Sequence, residues 1–470
     1  MPTNYKHETI VNADVESTFD WFEHEGSFRR LMPPWEVAEE VRADDSLEVG
    51  SQRVFRFPAP GAPFFKMTWV AEHTGYEKPA DNKAYFADTM VKGPFWKWNH
   101  DHFLTEVDGV TTVVDDVTYS VPFGPLGMLV DKALGGSLVT GRISSMFKAR
   151  EYRLKRDMDN HIKFKHIDRK KILIAGSSGL IGTQLVAFLD TGNHDVWRLV
   201  RKKSDPSKKE ISWYPSEGKI NPSEIEGFDI VIHLGGVGIG DKRWSKKRKA
   251  AIRDSRVDST TLLSDTLANL NSKPDLFMVA SAIGYYGNRG EDIVDENTSI
   301  GDDYLTDICG KWEKSADSAR SAGIRTIHTR TGIVISAVGG ALGKMLLPAK
   351  MGGGGPIGGG KQFMSWISMD DQIYSMYHLM MSEETEGAYN LTAPNPVRQK
   401  EFAKTLGKVL RRPAFAPLPG FMMKIMFGEM GVKLTLDSQR VIPKRLQETG
   451  YKFTHENLGP ALQDSLGKWR

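Results

Sequence analysis

KILIAGSSGLIG, at residues 171–182, joins a short apolar run to three glycines at three-residue intervals. A helical pattern over residues 183–189 follows at once. In such an arrangement a buried strand enters a tight turn, and the backbone N–H groups of the turn and of the next helix approach a pyrophosphate. The stretch predicts a dinucleotide site, with a strand–helix turn that holds no ligand as the alternative. Because it begins well inside the chain, we expect a domain of another kind before it.

Composition restricts the classes of protein and of partner. The 470 residues are 40% hydrophobic and 26% charged, as expected for a globular protein of two or three domains. The net charge of +3 is nearly balanced, so we expect no nucleic-acid partner. We expect no signal peptide and no membrane span, because no run approaches ~20 apolar residues. The single cysteine, Cys309, fits a cytoplasmic location and is expected to be a small buried group rather than a reactive thiol.

The first third of the chain has the pattern of a separate domain. Residues 1–155 are rich in aromatic side chains and alternate as strands do, with an early helix near 14–22 and a late helix over about 129–155. This order predicts an α+β domain with helices packed on an antiparallel sheet. Residues 156–170 are predicted to be a solvated, charged linker, with a phosphate-binding arm as the alternative.

Residues 171–400 alternate between candidate strands and helices, which is the rhythm of a doubly wound parallel sheet. The candidate strands are 171–175, 195–200, 229–234, 275–281 and 324–330. Residues 401–470 are mostly helical and rich in methionine, and we predict a C-terminal helical cap there. The glycine run 352–360 is interpreted as a loop near a ligand, with a flexible linker as the alternative.

The end of the second candidate strand bears on the choice of cofactor. Arg201, Lys202 and Lys203 follow the strand, and Arg198 precedes them. An acidic residue at this point would hydrogen-bond a ribose 2′-hydroxyl, whereas basic residues suit a 2′-phosphate. We therefore predict NADP, with NAD less favoured. An ordinary run of solvated charge is the alternative.

Further motifs in the same part of the chain extend this pattern. They are DIVIHLGG at 229–236, RWS at 243–245, RDSR at 253–256, SAIGYYG at 281–287, RTGIV at 330–334, WISMDD at 366–371 and NLTAP at 390–394. With the glycine turn, they resemble an atypical extended short-chain dehydrogenase/reductase of the epimerase-family, NAD(P)-dependent epimerase/dehydratase-like branch, over about residues 170–470. The resemblance implies a Rossmann-type fold and nicotinamide chemistry on a carbonyl or carbinol carbon. The cofactor-binding residues it implies are Gly176, Ser178, Gly179, Leu180, Ile181, Gly182, Arg198, Arg201, Leu234, Gly235, Gly236 and Ser281.

The catalytic pair of that superfamily is missing from this chain. Its members use a Tyr-x-x-x-Lys pair to exchange a proton, but no tyrosine here has a lysine four residues later. Aligning the helix puts Leu305 and Cys309 at the two positions. The hydroxyls that remain near the expected nicotinamide are those of Ser281, Tyr285, Tyr286 and Tyr304. We take Ser281, Tyr285 and Tyr286 as the candidate catalytic residues, with a packing role as the alternative for Tyr285 and Tyr286.

Four side chains are candidates for substrate binding: Arg253, Arg256, Arg330 and Trp366. Arg253 and Arg256 lie three residues apart on a probable helix, so they share a face and could grip a carboxylate or phosphate. A solvated helix face is the alternative. Asp370 and Asp371 are predicted to cap a helix start rather than to act as acid or base.

The N-terminal domain carries a second resemblance. MPPW at 32–35, GPFWKWNHDHF at 93–103 and the long final helix resemble the START-like (SRPBCC, polyketide cyclase/dehydrase-like) superfamily. That resemblance implies a helix-grip fold whose sheet curls around a long helix and encloses a cavity for a hydrophobic ligand. Trp69, Trp96 and Trp98 would line the cavity or fill the core.

His100 and His102 alternate along a probable strand, so both rings face the same way and could share a metal ion. The sequence offers no convincing third ligand. We therefore predict histidines that are hydrogen-bonded across the sheet, and no metal site.

These features together predict an NADP(H)-dependent oxidoreductase or nucleotide-sugar-epimerase-like protein with a small-molecule substrate, which could be hydrophobic or a nucleotide sugar. Its attached START-like domain would hold a hydrophobic ligand. The alternative is a non-catalytic protein that binds or senses NADP(H), and whose START-like domain binds a lipid or a partner.

Overall fold

The computed structural model describes residues 2–44, 46–59, 62–121, 127 and 139–469. The chain divides into two compact units between Asp168 and Arg169, with residues 187–193 and Trp469 grouped with the first. Every helix within the described residues is too short or too polar to cross a lipid bilayer.

The first unit contains an antiparallel sheet. Its strands are β1 (Thr3–Val11), β2 (Glu39–Ala43), β3 (Gln52–Ala59), β4 (Ala62–Ala80), β5 (Lys83–Lys92), β6 (Lys97–Val107) and β7 (Val110–Ser120). The order across the sheet is β1-β7-β6-β5-β4-β3-β2, so the strands from β2 to β7 form a meander and β1 pairs with β7. Along β7 every second side chain is buried, because one face of the sheet meets the core.

Three helices belong to the same unit: α1 (Val15–Glu23), α2 (Glu25–Leu31) and α3 (Thr140–Lys163). The Asp14 carboxylate caps α1 by accepting the backbone N–H of Ser17 at 2.6 Å. Phe19 and Phe22 of α1 lie in one apolar cluster with Phe86 of the sheet and Leu154 of α3. The cluster holds helices and sheet together, as the sequence pattern predicts.

Helix α3 departs from the sequence prediction at its C-terminal end. We expected it to end at residue 155 and a linker to follow, but it continues to Lys163, so the linker prediction was wrong for residues 156–163. The apolar stripe continues through Leu154 and Met158, while charged residues on the other faces give the segment the composition of a linker. Most of the expected start of this helix, at residues 129–138, lies outside the described residues.

The second unit contains the remaining strands. They are β8 (Lys171–Ala175), β9 (Asp195–Val200), β10 (Glu210–Tyr214), β11 (Lys219–Ile220), β12 (Ile230–His233), β13 (Leu276–Ala282), β14 (Ile293–Val294), β15 (Arg325–Thr331), β16 (Ile333–Ile335), β17 (Phe363–Met364), β18 (Trp366–Ser368), β19 (Gly387–Leu391), β20 (Val397–Arg398) and β21 (Arg440–Val441). The main sheet has the order β11-β10-β9-β8-β12-β13-β15-β19, and all its neighbouring pairs are parallel except β10–β11. This order is that of a Rossmann-type sheet and confirms the predicted α/β fold.

Helices alternate with these strands and follow them to the C-terminus. They are α4 (Leu180–Thr191), α5 (Lys246–Ala268), α6 (Tyr304–Lys314), α7 (Asp317–Ser321), α8 (Gly340–Lys350), α9 (Met369–Met381), α10 (Gln399–Leu410), α11 (Gly420–Thr435), α12 (Lys444–Glu448) and α13 (Leu458–Leu466). Strands β8, β12 and β13 are buried along almost their whole length, as expected of a parallel sheet covered on both faces. Residues from α8, α10 and α13 share one apolar cluster.

The glycine run 352–360 is fixed by its contacts within the second unit. The Gly358 N–H donates to the Leu418 carbonyl at 2.9 Å, and the Ile357 N–H donates to Gln399 Oε1 at 2.8 Å. A Cβ on Gly355 would lie 2.1 Å from the Ala416 carbonyl oxygen. These contacts exclude the flexible-linker alternative.

Candidate functional site

The turn after β8 is a backbone cradle that only glycine permits at two of its positions. Gly176 has φ +85°, and a Cβ there would lie 2.7 Å from the Gly235 nitrogen. A Cβ on Gly182 would lie 2.2 Å from the Gly176 carbonyl oxygen. The turn therefore touches both the loop after β12 and the first turn of α4. This close packing is the role of the glycines in a dinucleotide-binding turn.

The rest of the predicted glycine motif lies at the exposed rim of this cradle. Ser178 and Gly179 are exposed, and α4 begins at Leu180, followed by Ile181 and Gly182. The first N–H groups of a helix have no partner within the helix and attract an anion. The geometry can therefore hold a pyrophosphate against the start of α4.

The loop after β12 forms the opposite wall of the cradle. The Leu234 N–H donates to the Ala175 carbonyl at 2.8 Å, and a Cβ on Gly236 would lie 2.9 Å from the Arg256 guanidinium carbon. Arg256 Nη1 also donates to the Val237 carbonyl at 2.9 Å. Leu234, Gly235 and Gly236 are thus held beside the glycine turn.

The structure separates Arg253 from Arg256, which we expected to act together. Arg253 is exposed, and its Nε donates to Asp254 Oδ1 at 2.6 Å. Arg256 points inward, supports the loop after β12 and lies 5.0 Å from the centre of the Trp312 ring. The structure therefore does not bring the two guanidinium groups together, because only Arg256 faces the loop after β12.

The basic end of β9 leaves two side chains uncommitted. Lys202 lies 2.8 Å from the buried carboxylate of Glu210, and Arg198 Nη2 donates to the Lys208 carbonyl at 2.6 Å. The exposed Arg201 side chain makes no hydrogen bond or ion pair with any residue that the structure describes. Of the basic residues predicted to select the cofactor, Arg201 and Lys203 are available to a 2′-phosphate among the described residues, and only Arg201 offers a guanidinium.

A buried polar network lies across the carboxyl ends of three neighbouring parallel strands. Ser281 of β13, Arg330 of β15 and Asn390 of β19 are adjacent in the sheet register. The Ser281 hydroxyl donates to Glu313 Oε1 at 2.7 Å, and Arg330 donates to both oxygens of Glu313 at 2.8 and 2.9 Å. We call Ser281, Glu313, Arg330, Tyr286 and Asn390 the strand-end network. It occupies the edge of the sheet where ligands bind in this class of fold.

Tyr286 completes the strand-end network from the core. Its hydroxyl donates to Asn390 Oδ1 at 2.7 Å and accepts from Arg330 Nη1 at 3.0 Å. The residue is fully buried, and burial raises its pKa to about 12. These contacts favour the packing role that the sequence left open for Tyr286.

Two charged groups of the strand-end network stabilise each other. Burial alone would raise the pKa of Glu313, but the Arg330 guanidinium and the Ser281 hydroxyl outweigh it and hold that pKa below its ordinary value. Burial alone would lower the pKa of Arg330, and Glu313 reverses that effect. The pair is therefore ionised at neutral pH, and the Ser281 hydroxyl, itself buried, is committed to it.

Tyr285 differs from its neighbour. It is half-buried, and its ring lies 3.5 Å beneath the Arg330 guanidinium. Within the described part of the chain its hydroxyl makes no hydrogen bond. Among the three predicted catalytic side chains, Tyr285 is thus the one with an uncommitted hydroxyl.

Helix α6 carries no proton-transfer pair on the face that the sequence alignment indicated. A Cβ on Gly284 would lie 3.6 Å from both Cys309 Sγ and Leu305 Cβ, so this apolar face packs on the turn after β13. Cys309 is buried as predicted. The neighbouring Tyr304 donates its hydroxyl to the Lys249 carbonyl at 2.9 Å.

Trp366 and Asp371 have structural positions. Trp366 is fully buried and donates its indole N–H to the Asn395 carbonyl at 3.1 Å, which places it in the core rather than at the predicted substrate contact. The cap of α9 is Ser368, not an aspartate. Asp371 is a buried acceptor for the Tyr451 hydroxyl at 3.0 Å and the Thr454 N–H at 2.7 Å.

The first unit brings a further set of polar side chains together. His100 and His102 of β6 are buried side by side, and Asp88 of β5 joins them within 4.8 Å. The sequence offered no convincing third ligand, but the sheet register brings Asp88 to both rings. The predicted hydrogen bond across the sheet is present for His100, which pairs with Asp115 of β7. Trp69 and Trp98 pack in the core of the same unit, whereas Trp96 is 68% exposed and lines nothing there.

Comparison with protein families gives matches in the second unit. Residues 172–392 match the model described as the NAD dependent epimerase/dehydratase family, and residues 418–465 match a domain of unknown function, DUF1731. A relative from Mycobacterium bovis, the epimerase family protein Mb2239, is 38% identical over 291 residues, which are 62% of this chain and 96% of the relative.

Solved structures resemble both the whole chain and its second part. The nucleoside-diphosphate sugar epimerase from Corynebacterium glutamicum is 28% identical, with a TM-score of 0.78, and the match covers 98% of this chain and 90% of that one. The human epimerase family protein SDR39U1, solved with NADPH, is 31% identical, with a TM-score of 0.58, and the match covers 63% of this chain and 99% of that one. The second unit therefore has nicotinamide-binding relatives, and an epimerase of similar length shares the fold of nearly the whole chain.

Proposed function

The chain belongs to the NAD dependent epimerase/dehydratase family, and on that premise we propose that it is an NADP(H)-dependent oxidoreductase or epimerase acting on a small molecule. The observation that carries the proposal is the glycine cradle at 176–182 with the uncommitted Arg201 at the end of the adjacent strand. The cradle fits a pyrophosphate, and the guanidinium fits a 2′-phosphate. The human relative solved with NADPH supports the same cofactor.

The residues present fit each part of the cofactor. Gly176 and Gly182 leave room for backbone N–H groups to reach the pyrophosphate. Leu234 to Gly236 form the wall toward the nicotinamide half, and Ser281 ends the next strand. When bound, the nicotinamide supplies or accepts a hydride.

We assign the proton in this chemistry to Tyr285. Its hydroxyl is uncommitted, whereas the hydroxyls of Ser281 and Tyr286 belong to the strand-end network. Arg330 lies over its ring and holds the side chain at the carboxyl end of the sheet. Tyr285 would hold or move a proton at the oxygen of the substrate, a role that general acid–base catalysis makes worth roughly 10²- to 10⁴-fold in rate.

Titration of the full chain with NADPH and with NADH tests the cofactor assignment. Arg201→Glu should weaken NADPH binding at least ~10-fold and leave NADH binding unchanged, because a charge-assisted contact to the 2′-phosphate is replaced by repulsion. Lys404→Glu is the control, since it reverses an exposed charge on helix α10 rather than at the end of β9. The assignment would be overturned if Arg201→Glu and the unaltered chain had the same ratio of NADPH affinity to NADH affinity.

A paired substitution tests the catalytic assignment. We expect Tyr285→Phe to abolish nicotinamide turnover with carbonyl compounds while NADPH still binds. Tyr286→Phe should keep turnover and lose stability instead. Turnover that survives in Tyr285→Phe would remove Tyr285 from the chemistry.

We propose that the first unit has a START-like helix-grip fold and that it binds a ligand. Its antiparallel sheet is followed in sequence by the long helix α3, and apolar side chains from both share one cluster. We propose that the apolar face of this sheet, which meets α3, receives a hydrophobic ligand. Binding of a fluorescent fatty acid by the full chain, with displacement by unlabelled ligand, would test this role.

A second candidate function is NADP(H) binding or sensing without turnover. The observation that favours it is the apolar face of α6, where Leu305 and Cys309 pack on Gly284 in place of a tyrosine–lysine pair. Tight stoichiometric NADPH binding without absorbance change across a panel of carbonyl compounds and nucleotide sugars would establish this function. Any substrate-dependent change in nicotinamide absorbance that is lost in Tyr285→Phe would exclude it.

A further inference from the structure

The sheet of the first unit places four chemistry-bearing side chains in register. Asp88 of β5 is paired with His100 of β6, and His102 of β6 is paired with Asp115 of β7. Residues 100 and 102 are two apart, so they lie on the same face of the sheet. Two imidazoles are thus enclosed between two carboxylates contributed by separate strands.

The distances on the Asp88 side leave room for an ion. Asp88 Oδ2 lies 3.6 Å from His100 Nδ1 and 3.7 Å from His102 Nε2. These separations are too long for good hydrogen bonds. They are close to the edge, about 3.3 Å, of a tetrahedron whose centre is a zinc ion with bonds of about 2.0 Å. Asp88, His100 and His102 therefore have the spacing of three metal ligands.

Asp115 orients one imidazole and lies beside the other. His100 Nε2 donates to Asp115 Oδ1 at 2.9 Å, and His102 Nδ1 lies 2.9 Å from the same oxygen. Because a carboxylate only accepts hydrogen bonds, the ring proton of a neutral His100 faces Asp115 and its Nδ1 lone pair faces Asp88. His102 Nδ1 is close to Asp115 but makes no hydrogen bond within the described residues. A carboxylate behind the ligating histidines is the usual way to fix their tautomer at a metal site.

The surroundings hold the rings and leave a route for an ion. Phe86 stacks on the His102 ring at 4.0 Å, and Phe147 meets the His100 ring edge-on at 5.4 Å. Both histidines are buried, whereas the Asp88 side chain is 19% exposed. An ion would enter past Asp88, and its double charge would offset the two carboxylates.

We propose that Asp88, His100 and His102 form a binding site for a divalent transition-metal ion of the zinc class, which Asp115 supports from behind. Three protein ligands leave a fourth position for water or for a ligand of the first unit. This site is independent of the nicotinamide cofactor and of the proposed function of the second unit.

Zinc binding to the full chain tests the proposal. The protein is treated with a chelator, dialysed, and titrated with Zn²⁺ by calorimetry, and Co²⁺ serves as a spectroscopic probe of tetrahedral geometry. We expect one ion per chain, a melting temperature that rises with Zn²⁺ by mass action, and a Co²⁺ spectrum with imidazole ligands. Asp88→Asn and His102→Gln should each weaken Zn²⁺ binding by at least ~100-fold. This is more than the roughly 10- to 100-fold loss of metal affinity expected when a supporting carboxylate is removed.

His7→Gln is the matched control, because His7 lies on the same sheet but contacts Glu151 at 3.1 Å. It should bind Zn²⁺ as the unaltered chain does. Asp88→Asn is isosteric, and its circular dichroism and its melting temperature without metal show whether it folds. The proposal would be overturned if the chain bound no Zn²⁺ at a concentration of about 100 µM, which is on the order of the dissociation constant of a weak site. Binding that Asp88→Asn and His102→Gln leave unchanged would overturn it as well.

Discussion

The two units each contain a buried polar network built by strand register, and the two networks differ in how completely their groups are satisfied. In the strand-end network, Arg330 donates to both oxygens of Glu313 and to the Tyr286 hydroxyl, at 2.8 to 3.0 Å. In the first unit, Asp88 faces two imidazole nitrogens at 3.6 and 3.7 Å. The first network is closed by its own hydrogen bonds, whereas the second has distances that a metal ion would close.

This difference separates a structural role from a binding role. Buried polar groups are normally hydrogen-bonded, and a fully connected network contributes rigidity and specificity to the core. A set of ligand-type atoms that face one another beyond hydrogen-bond distance has capacity left for another partner. We therefore read the strand-end network as a support beneath the proposed nicotinamide site, and the Asp88–His100–His102 cluster as the proposed metal site.

Breaking the closed network should have the largest effect. Arg330→Met removes the partner of Glu313 and leaves a buried carboxylate without its cation. We expect a loss of about 3–5 kcal/mol in the free energy of unfolding. Urea unfolding of the full chain, followed by circular dichroism, measures it as a lower midpoint of the transition that belongs to the second unit.

Lys311→Met is the control for that experiment, because Lys311 pairs with Asp307 on the exposed side of α6. Its effect should stay within about 0.5 kcal/mol. If Arg330→Met were as stable as Lys311→Met, the hydrogen bonds of Arg330 in the strand-end network would not stabilise the fold.

A smaller change removes one hydroxyl from the same network. Tyr286→Phe leaves Asn390 Oδ1 and Arg330 Nη1 without their shared partner in the core. We expect a loss of about 1–3 kcal/mol, with NADPH affinity unchanged. The unfolding midpoint and an NADPH titration measure the two quantities, and a selective loss of NADPH binding would place Tyr286 in the cofactor site instead.

The sequence predicted the parallel sheet because its strands are short, apolar and separated by helical patterns. The five candidate strands match the structure within one residue at each end. Strand β10 was not predicted, because Glu210 and Ser212 interrupt its apolar run, and β19 was not predicted for a similar reason. The glycine turn was recognisable because its chemistry lies in consecutive residues.

The two networks could not be predicted from the sequence, because their members meet only through register. Ser281, Arg330 and Asn390 are far apart in the chain and become neighbours when three parallel strands align. His100 and His102 formed a recognisable pair, but Asp88 lies on the preceding strand across a turn. The antiparallel pairing of residues 83–89 with residues 99–105 brings Asp88 opposite His100. Composition alone does not determine that register, so the sequence did not reveal Asp88 as a neighbour of the two histidines.

The open cluster can be sharpened by altering its supporting carboxylate rather than a ligand. Asp115→Asn keeps the shape of the side chain but supplies a weaker acceptor for the His100 ring proton and removes a negative charge beside His102. We expect Zn²⁺ affinity to fall by roughly 10- to 100-fold, less than in Asp88→Asn. Calorimetric titration of the full chain measures this ranking. If Asp115→Asn lost as much affinity as Asp88→Asn, Asp115 would be a ligand rather than an orienting group.

The last test concerns the only cysteine of the chain, which lies beside the closed network. Burial raises the pKa of the Cys309 thiol to about 12, and the Glu313 carboxylate acts in the same direction. At pH 8 only about one thiol in ten thousand is then ionised, against about a quarter of free cysteine, and the thiolate is the reactive form. A disulfide reagent such as Ellman's should therefore react at least ~10³-fold more slowly with the folded chain than with free cysteine. In denaturant the reagent should detect one thiol per chain. Arg330→Met should raise the rate with the native protein, because it opens the network next to the thiol. A native rate already equal to that of free cysteine would mean that this side of the network is open to solvent.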